Sequence, residues 1–128
     1  MYIKKQIRSF KDLDVYQLAY KSCIEIMIEI IPKLPGSEKY NLKDQLSRSC
    51  KAVPRLIAEG YAKRHQKFGF QKYLDDARGE SNETLVSLEQ VKDIYNINPD
   101  LCIRLIDTYD KISRQLYNLA KAWSNLKK

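Results

Sequence analysis

The stretch Gln45–Gly60, QLSRSCKAVPRLIAEG, has the apolar spacing of a helix and carries Pro54 in its interior. An interior proline removes one backbone hydrogen bond, clashes with the preceding turn and costs about 3 kcal/mol or more. A chain keeps such a residue only where the surrounding packing tolerates or uses a bend. The stretch therefore predicts a long helix that is kinked at Pro54.

The same helix carries a stripe of positive charge. Arg48, Lys51 and Arg55 are three and four residues apart, which places them on one helical face. Residues 43–72 hold eight basic and two acidic side chains, a net charge of +6, while the whole chain carries +7. Positive charge concentrated in one segment favours a polyanionic partner such as RNA or DNA, although it also serves as a solubilising surface.

Apolar residues recur at spacings of three and four over four stretches, which predict helices at about 12–31, 41–61, 67–94 and 99–126. Glycine and proline are few, at four each, which argues against a turn-rich β fold. Long amphipathic helices with short connections predict an all-α, antiparallel up-down-up-down four-helix bundle in a single domain spanning 1–128.

Each helix has a predicted buried face. For the first helix these positions are Leu13, Tyr16, Tyr20, Ile24 or Cys23, Met27, Ile31 and Leu34. For the second they are Leu42, Leu46, Cys50 or Ser49, Val53, Ile57 and Tyr61. For the third they are Phe70, Leu74, Ala77, Ser81, Thr84 or Leu85, Leu88, Val91 and Tyr95. For the fourth they are Leu101, Leu105, Tyr109, Ile112, Leu116, Leu119, Trp123 and Leu126.

The end of the first helix is apolar nearly all round. From Cys23 to Ile31 the only polar residues are Glu25 and Glu29, which lie on one stripe. A helix of this kind is buried on more than one side, whereas a helix in a four-helix monomer has one side facing water. We therefore predict a homo-oligomer in which another subunit contacts one of three residues, Ile26, Ile28 or Ile30.

Residues suited to catalysis or metal binding are few. The single histidine, His65, lies in a basic loop, and there is no Glu-x-x-His pair of the kind found in di-iron bundles. Asp76, Glu80 and Glu83 share a face of the third helix, and pairing with the basic second helix or solvation explains them. The sequence thus predicts a non-enzymatic protein without a metal or cofactor.

The cysteines indicate a reducing compartment. Cys23, Cys50 and Cys102 are odd in number, have no Cys-x-x-Cys spacing and lie among apolar residues, so we expect buried, reduced thiols. No apolar segment follows the basic N-terminus, and no run approaches the roughly 20 apolar residues of a membrane span. We therefore expect a cytoplasmic protein.

Phosphate binding requires donors along a surface and no particular motif. Three aromatic residues, Tyr61, Phe68 and Tyr73, interleave with the basic residues and suit either base stacking or core packing. Arg48 suits either a phosphate or an ion pair with Glu59 or an acid of the third helix. The residues predicted to contact nucleic acid are Lys43, Arg48, Lys51, Arg55, Lys63, Arg64 and Lys67.

The chain resembles the four-helix-bundle proteins encoded in intervening sequences of bacterial 23S rRNA genes. The shared landmarks follow in order along nearly the whole chain. They are FKDLDVY at 10–16, LP at 34–35, YNLxxQLxRS at 40–49, VPxxIAEG at 53–60 and ARGxxxE at 77–83. For this family the resemblance implies the bundle fold and a pentamer, without an established biochemical activity.

Two positions depart from the family pattern, which usually has Ser where Ala52 stands and Asn where Leu56 stands. The accessory proteins of diversity-generating retroelements are similar in fold and have plainer hydrophobic residues in this segment. Their resemblance implies a homopentamer whose basic surface engages nucleic acid and a reverse transcriptase.

The leading expectation is a low-specificity nucleic-acid-binding homo-oligomer, with RNA favoured over DNA. Its contacts would come from the basic face of the second helix and the junction that follows it. The alternative is an oligomeric interaction scaffold or accessory subunit that docks an acidic partner such as a reverse transcriptase.

Overall fold

The computed structural model describes residues 6–126, with side chains as far as Trp123. The described chain is all-α and contains no strand, which confirms the predicted fold class. Its four helices are α1 Asp14–Glu29, α2 Leu42–Ala62, α3 Gly69–Gln90 and α4 Pro99–Leu126. The predicted ends of the single domain, 1–5 and 127–128, lie outside the described residues.

Local sequence explains where the helices begin and end. A 3-10 turn, Phe10–Asp12, precedes α1, and its capping box joins the Ser9 side chain to the Lys11 amide at 3.0 Å. The α1 helix stops before Pro32, and a 3-10 turn, Ile31–Lys33, takes its place. At the other end of the chain Pro99 is the first residue of α4, as its fixed φ favours.

The buried faces of α2, α3 and α4 follow the predicted positions. On α2 both alternatives at one position, Ser49 and Cys50, are buried, and on α3 the buried alternative is Thr84, with Leu85 half-buried. On α4 the central positions are fully buried, and the outer ones that the structure describes, Leu101, Leu119 and Trp123, are half-buried. The predicted position at Leu126 lies beyond the described side chains.

On α1 the predicted positions Leu13, Cys23, Ile31 and Leu34 are buried, and Tyr16 and Met27 are half-buried. In the middle of the helix the predicted face is shifted by about one residue. Tyr20 and Ile24 are 52% and 43% exposed, whereas the buried stripe runs through Ala19, Cys23 and Ile26 and on to Ile30. A helix that is apolar on every side offers several stripes of similar hydrophobicity. Packing against α2 and α4 therefore selects the stripe, and periodicity alone does not.

This shift corrects the predicted subunit interface. Ile26 and Ile30 are fully buried within the chain's own core, so they have no surface left for a second subunit. Ile28 is 63% exposed and remains available. It continues an outward stripe with Tyr20 and Ile24, since these three residues are spaced four apart.

Hydroxyl groups of α3 form hydrogen bonds to α2 and α4 within the core. Thr84 bonds Ser49 of α2 at 2.8 Å, and Ser81 donates to the Tyr109 carbonyl of α4 at 3.1 Å. Because these side chains are small, the helices approach closely and the buried hydroxyls still find partners. Gly79, on the same helix, faces open space.

The α2 helix continues through Pro54 and Gly60. Pro54 is buried in the helix interior. Gly60 is a buried part of the helix, and Ala62 is the last residue. A Cβ added at Gly60 would lie 2.6 Å from Tyr73 Cβ and 3.1 Å from Phe70 Cδ1, so glycine is required by the close approach of α3.

We predict that Gly60→Ala lowers the free energy of unfolding by about 1–3 kcal/mol, because α3 must shift to make room for the methyl group. Gly79→Ala is the matched control, since it adds a methyl group in open space on a helix and is expected to stabilise by about 0.5–1 kcal/mol. Urea unfolding followed by circular dichroism measures both. Equal effects of the two substitutions would contradict the close packing at Gly60.

Candidate nucleic-acid interface

The outer face of α2 presents three predicted residues together. Arg48, Lys51 and Arg55 are all exposed, because the opposite face of the helix fills the core. Arg48 forms an ion pair with Asp44 at 3.6 Å, and both side chains are largely exposed. A solvent-exposed pair of this kind contributes about 0–1 kcal/mol, so it does not prevent Arg48 from contacting another anion.

Lys51 and Arg55 are the least engaged cations of this face. Within residues 6–126 no carboxylate lies within ion-pair distance of either side chain. The two positive charges are four residues apart on the helix, a spacing at which like charges repel weakly. A phosphate group therefore meets two available donors here without first having to break an ion pair.

The cations of the α2–α3 junction are used differently. Lys63 Nζ donates to the Tyr73 hydroxyl at 2.6 Å and lies 3.7 Å from Glu59. The hydrogen bond to Tyr73 is the main cause that raises the pKa of Lys63. Arg64 donates to the Tyr61 carbonyl at 2.8 Å and stacks over the Tyr61 ring at 4.1 Å. Both side chains stabilise the junction itself.

Lys67 and Phe68 project from the tip of this junction. Phe68 has a left-handed backbone, with φ of 57°, and its ring is 63% exposed. Lys67 Nζ lies 5.5 Å from the centre of that ring. The tight turn depends on Gly69, where an added Cβ would lie 2.0 Å from the Lys63 carbonyl oxygen. The turn thus holds an aromatic ring and a cation side by side in solvent.

The remaining predicted residues do not join this surface. Lys43 is half-buried and, five residues before Arg48, lies on a different face of α2. Tyr61 is buried and packs edge-on against Phe70 at 5.9 Å between ring centres, and Tyr73 is half-buried. Phe68 is therefore the one predicted aromatic that is exposed enough to stack on a base.

The acids of α3 form a negative border beside the basic face. Burial raises the pKa of Glu80, the negative charge of Glu83 adds to this effect, and the positive charge of Arg48 opposes it. The surroundings of Glu80 therefore oppose its ionisation, mainly through burial. Within the described residues the ion pair of Arg48 is with Asp44, and neither Glu59 nor an acid of α3 forms the ion pair that the sequence offered as an alternative.

The sequence did not reveal a polar groove between α3 and α4, of about 410 Å³. Arg78 stacks over Tyr117 at 4.9 Å there, and Arg114 pairs with Asp110 at 3.2 Å. The sequence does show that Arg78 and Asn82, four residues apart, share one face of α3. It does not show which residues of α4 face them, because that depends on the register of the two helices.

Within the described residues no group of three or more histidine, cysteine or acidic side chains could hold a metal ion. The described helices also include none that is long and apolar enough to cross a membrane. His65 is exposed in the α2–α3 junction, and all three cysteines are buried and free.

Comparison with known proteins gives a match to a protein family and a match to solved structures. A family model described as "23S rRNA-intervening sequence protein" matches residues 11–118. The chain is also similar to a crystal structure of a Bacteroides thetaiotaomicron protein, described as of unknown function and from the S23 ribosomal protein family. The identity is 18% and the TM-score 0.72, over 84% of this chain and 98% of that one. No curated protein matches.

We predict that Glu80→Gln stabilises the protein at neutral pH. A carboxyl whose folded pKa is raised carries no penalty while it is protonated in both states. Its penalty begins as the pH rises past the unfolded-state pKa and is complete above the folded pKa. The advantage of the variant in unfolding free energy should therefore be smallest below about pH 4 and grow as the pH rises. Urea titrations across this range measure it.

Glu89→Gln, an exposed position on the same helix, corrects for the loss of one negative charge. An advantage of Glu80→Gln that is constant from low to neutral pH would contradict a raised pKa of Glu80.

Proposed function

The chain belongs to the family of 23S rRNA-intervening sequence proteins, and from this premise we propose that it is a non-enzymatic protein that binds nucleic acid, preferring RNA to DNA. The observation that carries the proposal is the pair Lys51 and Arg55, exposed on the outer face of α2 without a carboxylate partner in residues 6–126. Two exposed cations without an ion-pair partner are open to contact by an anion. Phosphate supplies that anion.

The proposed contacts are to the backbone and carry little sequence information. From Arg48 to Arg55 the helix advances by about 10 Å, enough for a few phosphates and too short for a long single-site footprint. No side chain of this face has the arrangement that reads base edges. Binding by one subunit is accordingly weak, of low specificity and sensitive to salt.

The exposed ring of Phe68 adds a place for an unpaired base. Base stacking on an aromatic side chain contributes about 1–3 kcal/mol per base and tolerates any sequence. Lys67, beside the ring, is positioned for the adjoining phosphate. A stacking site favours single-stranded RNA, whose bases are accessible, over duplex DNA.

The proposal includes a homo-oligomer, which we take to be a pentamer from the family resemblance. Its support in this chain is the outward stripe of α1, formed by Tyr20, Ile24 and Ile28. A second copy would remove this apolar surface from water. Repetition of the basic face in each subunit would then convert weak single contacts into avidity.

We further infer that the helices run up-down-up-down and that α2 bends at Pro54. Contacts between distant residues support antiparallel neighbours: Ser49 of α2 meets Thr84 of α3, while Tyr61 meets Phe70. For the bend the support is chemical, because Pro54 has no backbone donor for the preceding turn. The free thiols of all three cysteines suit a cytoplasmic protein.

We predict that Lys51→Ala with Arg55→Ala weakens RNA binding and lowers its dependence on salt. Loss of two phosphate contacts should reduce the slope of log affinity against log salt by about 1.4 for single-stranded RNA. Filter binding with a mixed RNA pool at several salt concentrations measures both quantities. Lys111→Ala with Lys121→Ala removes the same charge from exposed positions of α4 and is the matched control.

Two outcomes would contradict the proposal. Affinity that does not change with salt would exclude phosphate contacts as its source. Equal losses of RNA affinity in the two double variants would mean that the net charge of the protein, and not the α2 face, causes the binding. If instead RNA retention is unchanged while an acidic protein partner is lost, the basic face belongs to an interaction scaffold.

We predict that Ile24→Lys with Ile28→Lys dissociates the oligomer, since two charges would have to be buried without partners. Multi-angle light scattering at micromolar concentration should show a pentamer for the wild type and smaller particles for the variant. Ile94→Lys, also at an exposed isoleucine but beyond α3, is the control and should keep the wild-type mass. A monomeric wild type would contradict the interface.

A further inference from the structure

Two of the three cysteines meet where α1 packs against α2. Cys23 Sγ and Cys50 Sγ lie 3.6 Å apart, in contact but not bonded. Cys23 keeps 6% of its surface exposed, and Cys50 is fully buried. The third thiol, Cys102 of α4, contacts the Ile97 carbonyl at 3.3 Å. One pair and one separate thiol thus lie in the same core.

We propose that Cys23 and Cys50 form a redox modification site, at which a peroxide converts the two thiols into a disulfide that joins α1 to α2. A disulfide has an S–S length of about 2.05 Å, so the sulfurs must approach each other by about 1.5 Å from their present positions. The reaction needs no second subunit and no change of fold.

The surroundings assign different roles to the two sulfurs. The hydrogen bond between the two thiols is the main cause that lowers the pKa of Cys23, and the positive charges of Lys51 and Arg55 add to it against the effect of burial. Burial and the neighbouring Cys23 raise the pKa of Cys50. Cys23, with its lower pKa and its small exposed area, is therefore the nucleophile, and Cys50 is the resolving thiol.

The reaction balances with hydrogen peroxide as the oxidant. The Cys23 thiolate attacks one peroxide oxygen, the O–O bond breaks, and the departing hydroxide takes up the proton lost from the thiol to give water. Cys23 is then a sulfenic acid. The Cys50 sulfur attacks the Cys23 sulfur, the S–OH bond breaks, and the hydroxyl leaves as a second water with the Cys50 proton. Two sulfurs are oxidised and two oxygens are reduced.

The disulfide would lie next to the proposed basic face of α2. Cys50 precedes Lys51 on α2, so the disulfide would fix the middle of this helix to α1. It would also close the segment 23–50, which includes the connection through Pro32 and Pro35. Cross-linking restricts the unfolded chain and raises thermal stability.

The test oxidises the reduced full-length protein with hydrogen peroxide, alkylates remaining thiols in denaturant and analyses the product by mass spectrometry. The expected product has lost two hydrogen atoms, carries one alkyl group, on Cys102, and contains a peptide linkage between Cys23 and Cys50. Its melting temperature should exceed that of the reduced protein by several degrees, and a thiol reductant should reverse the shift.

Two variants act as controls. Cys102→Ala should still form the bond. Cys50→Ala, a small apolar replacement whose fold circular dichroism can verify, should form none and should accumulate a dimedone-reactive sulfenic acid at Cys23. Three alkylated thiols in the wild type after peroxide would overturn the proposal. Linkage through Cys102, or between two chains, would also overturn it.

Discussion

Close packing of α2 against both α1 and α3 is the constraint on which the rest of the structure depends. On one side Cys50 contacts Cys23, and on the other Ser49 bonds Thr84. Near the end of the helix Gly60 leaves no space for a methyl group beside Tyr73. Small side chains at each of these contacts let three helices approach closely, and one core of buried residues results.

This packing decides which cations can meet a ligand. Because the inner sides of α2 are full, its charged residues must lie on the outer face, where Lys51 and Arg55 have no acidic partner within residues 6–126. Lys63 and Arg64 have similar charge but are held by Tyr73 and Tyr61 in the junction. A count of basic residues therefore overstates the surface that is free to bind a phosphate.

The α1 helix shows how one segment serves two environments. Its inner stripe contributes Ile26 and Ile30 to the core and brings Cys23 to Cys50, while Ile24 and Ile28 face outward. A helix that is apolar all round can satisfy both, provided that a second surface covers the outer stripe. The same helix thus connects the proposed oligomer interface with the proposed redox site.

The sequence by itself determined the all-α class, four helices with ends close to those observed, and the buried faces of α2, α3 and α4. Regular spacing of apolar residues is sufficient where the opposite face is polar, as it is at Arg48 and Lys51. The family resemblance was also readable from sequence, since its landmarks follow in order from Phe10 to Glu83.

Only the tertiary structure decided which stripe of α1 is buried, which cations are engaged and which thiols meet. These properties depend on the rotation and register of one helix against another, which many side chains fix jointly. Cys23 and Cys50 are 27 positions apart, and Arg64 is held by the Tyr61 carbonyl whereas Lys67, three positions later, is exposed. Local periodicity carries no information about such contacts, because their energies arise between distant segments.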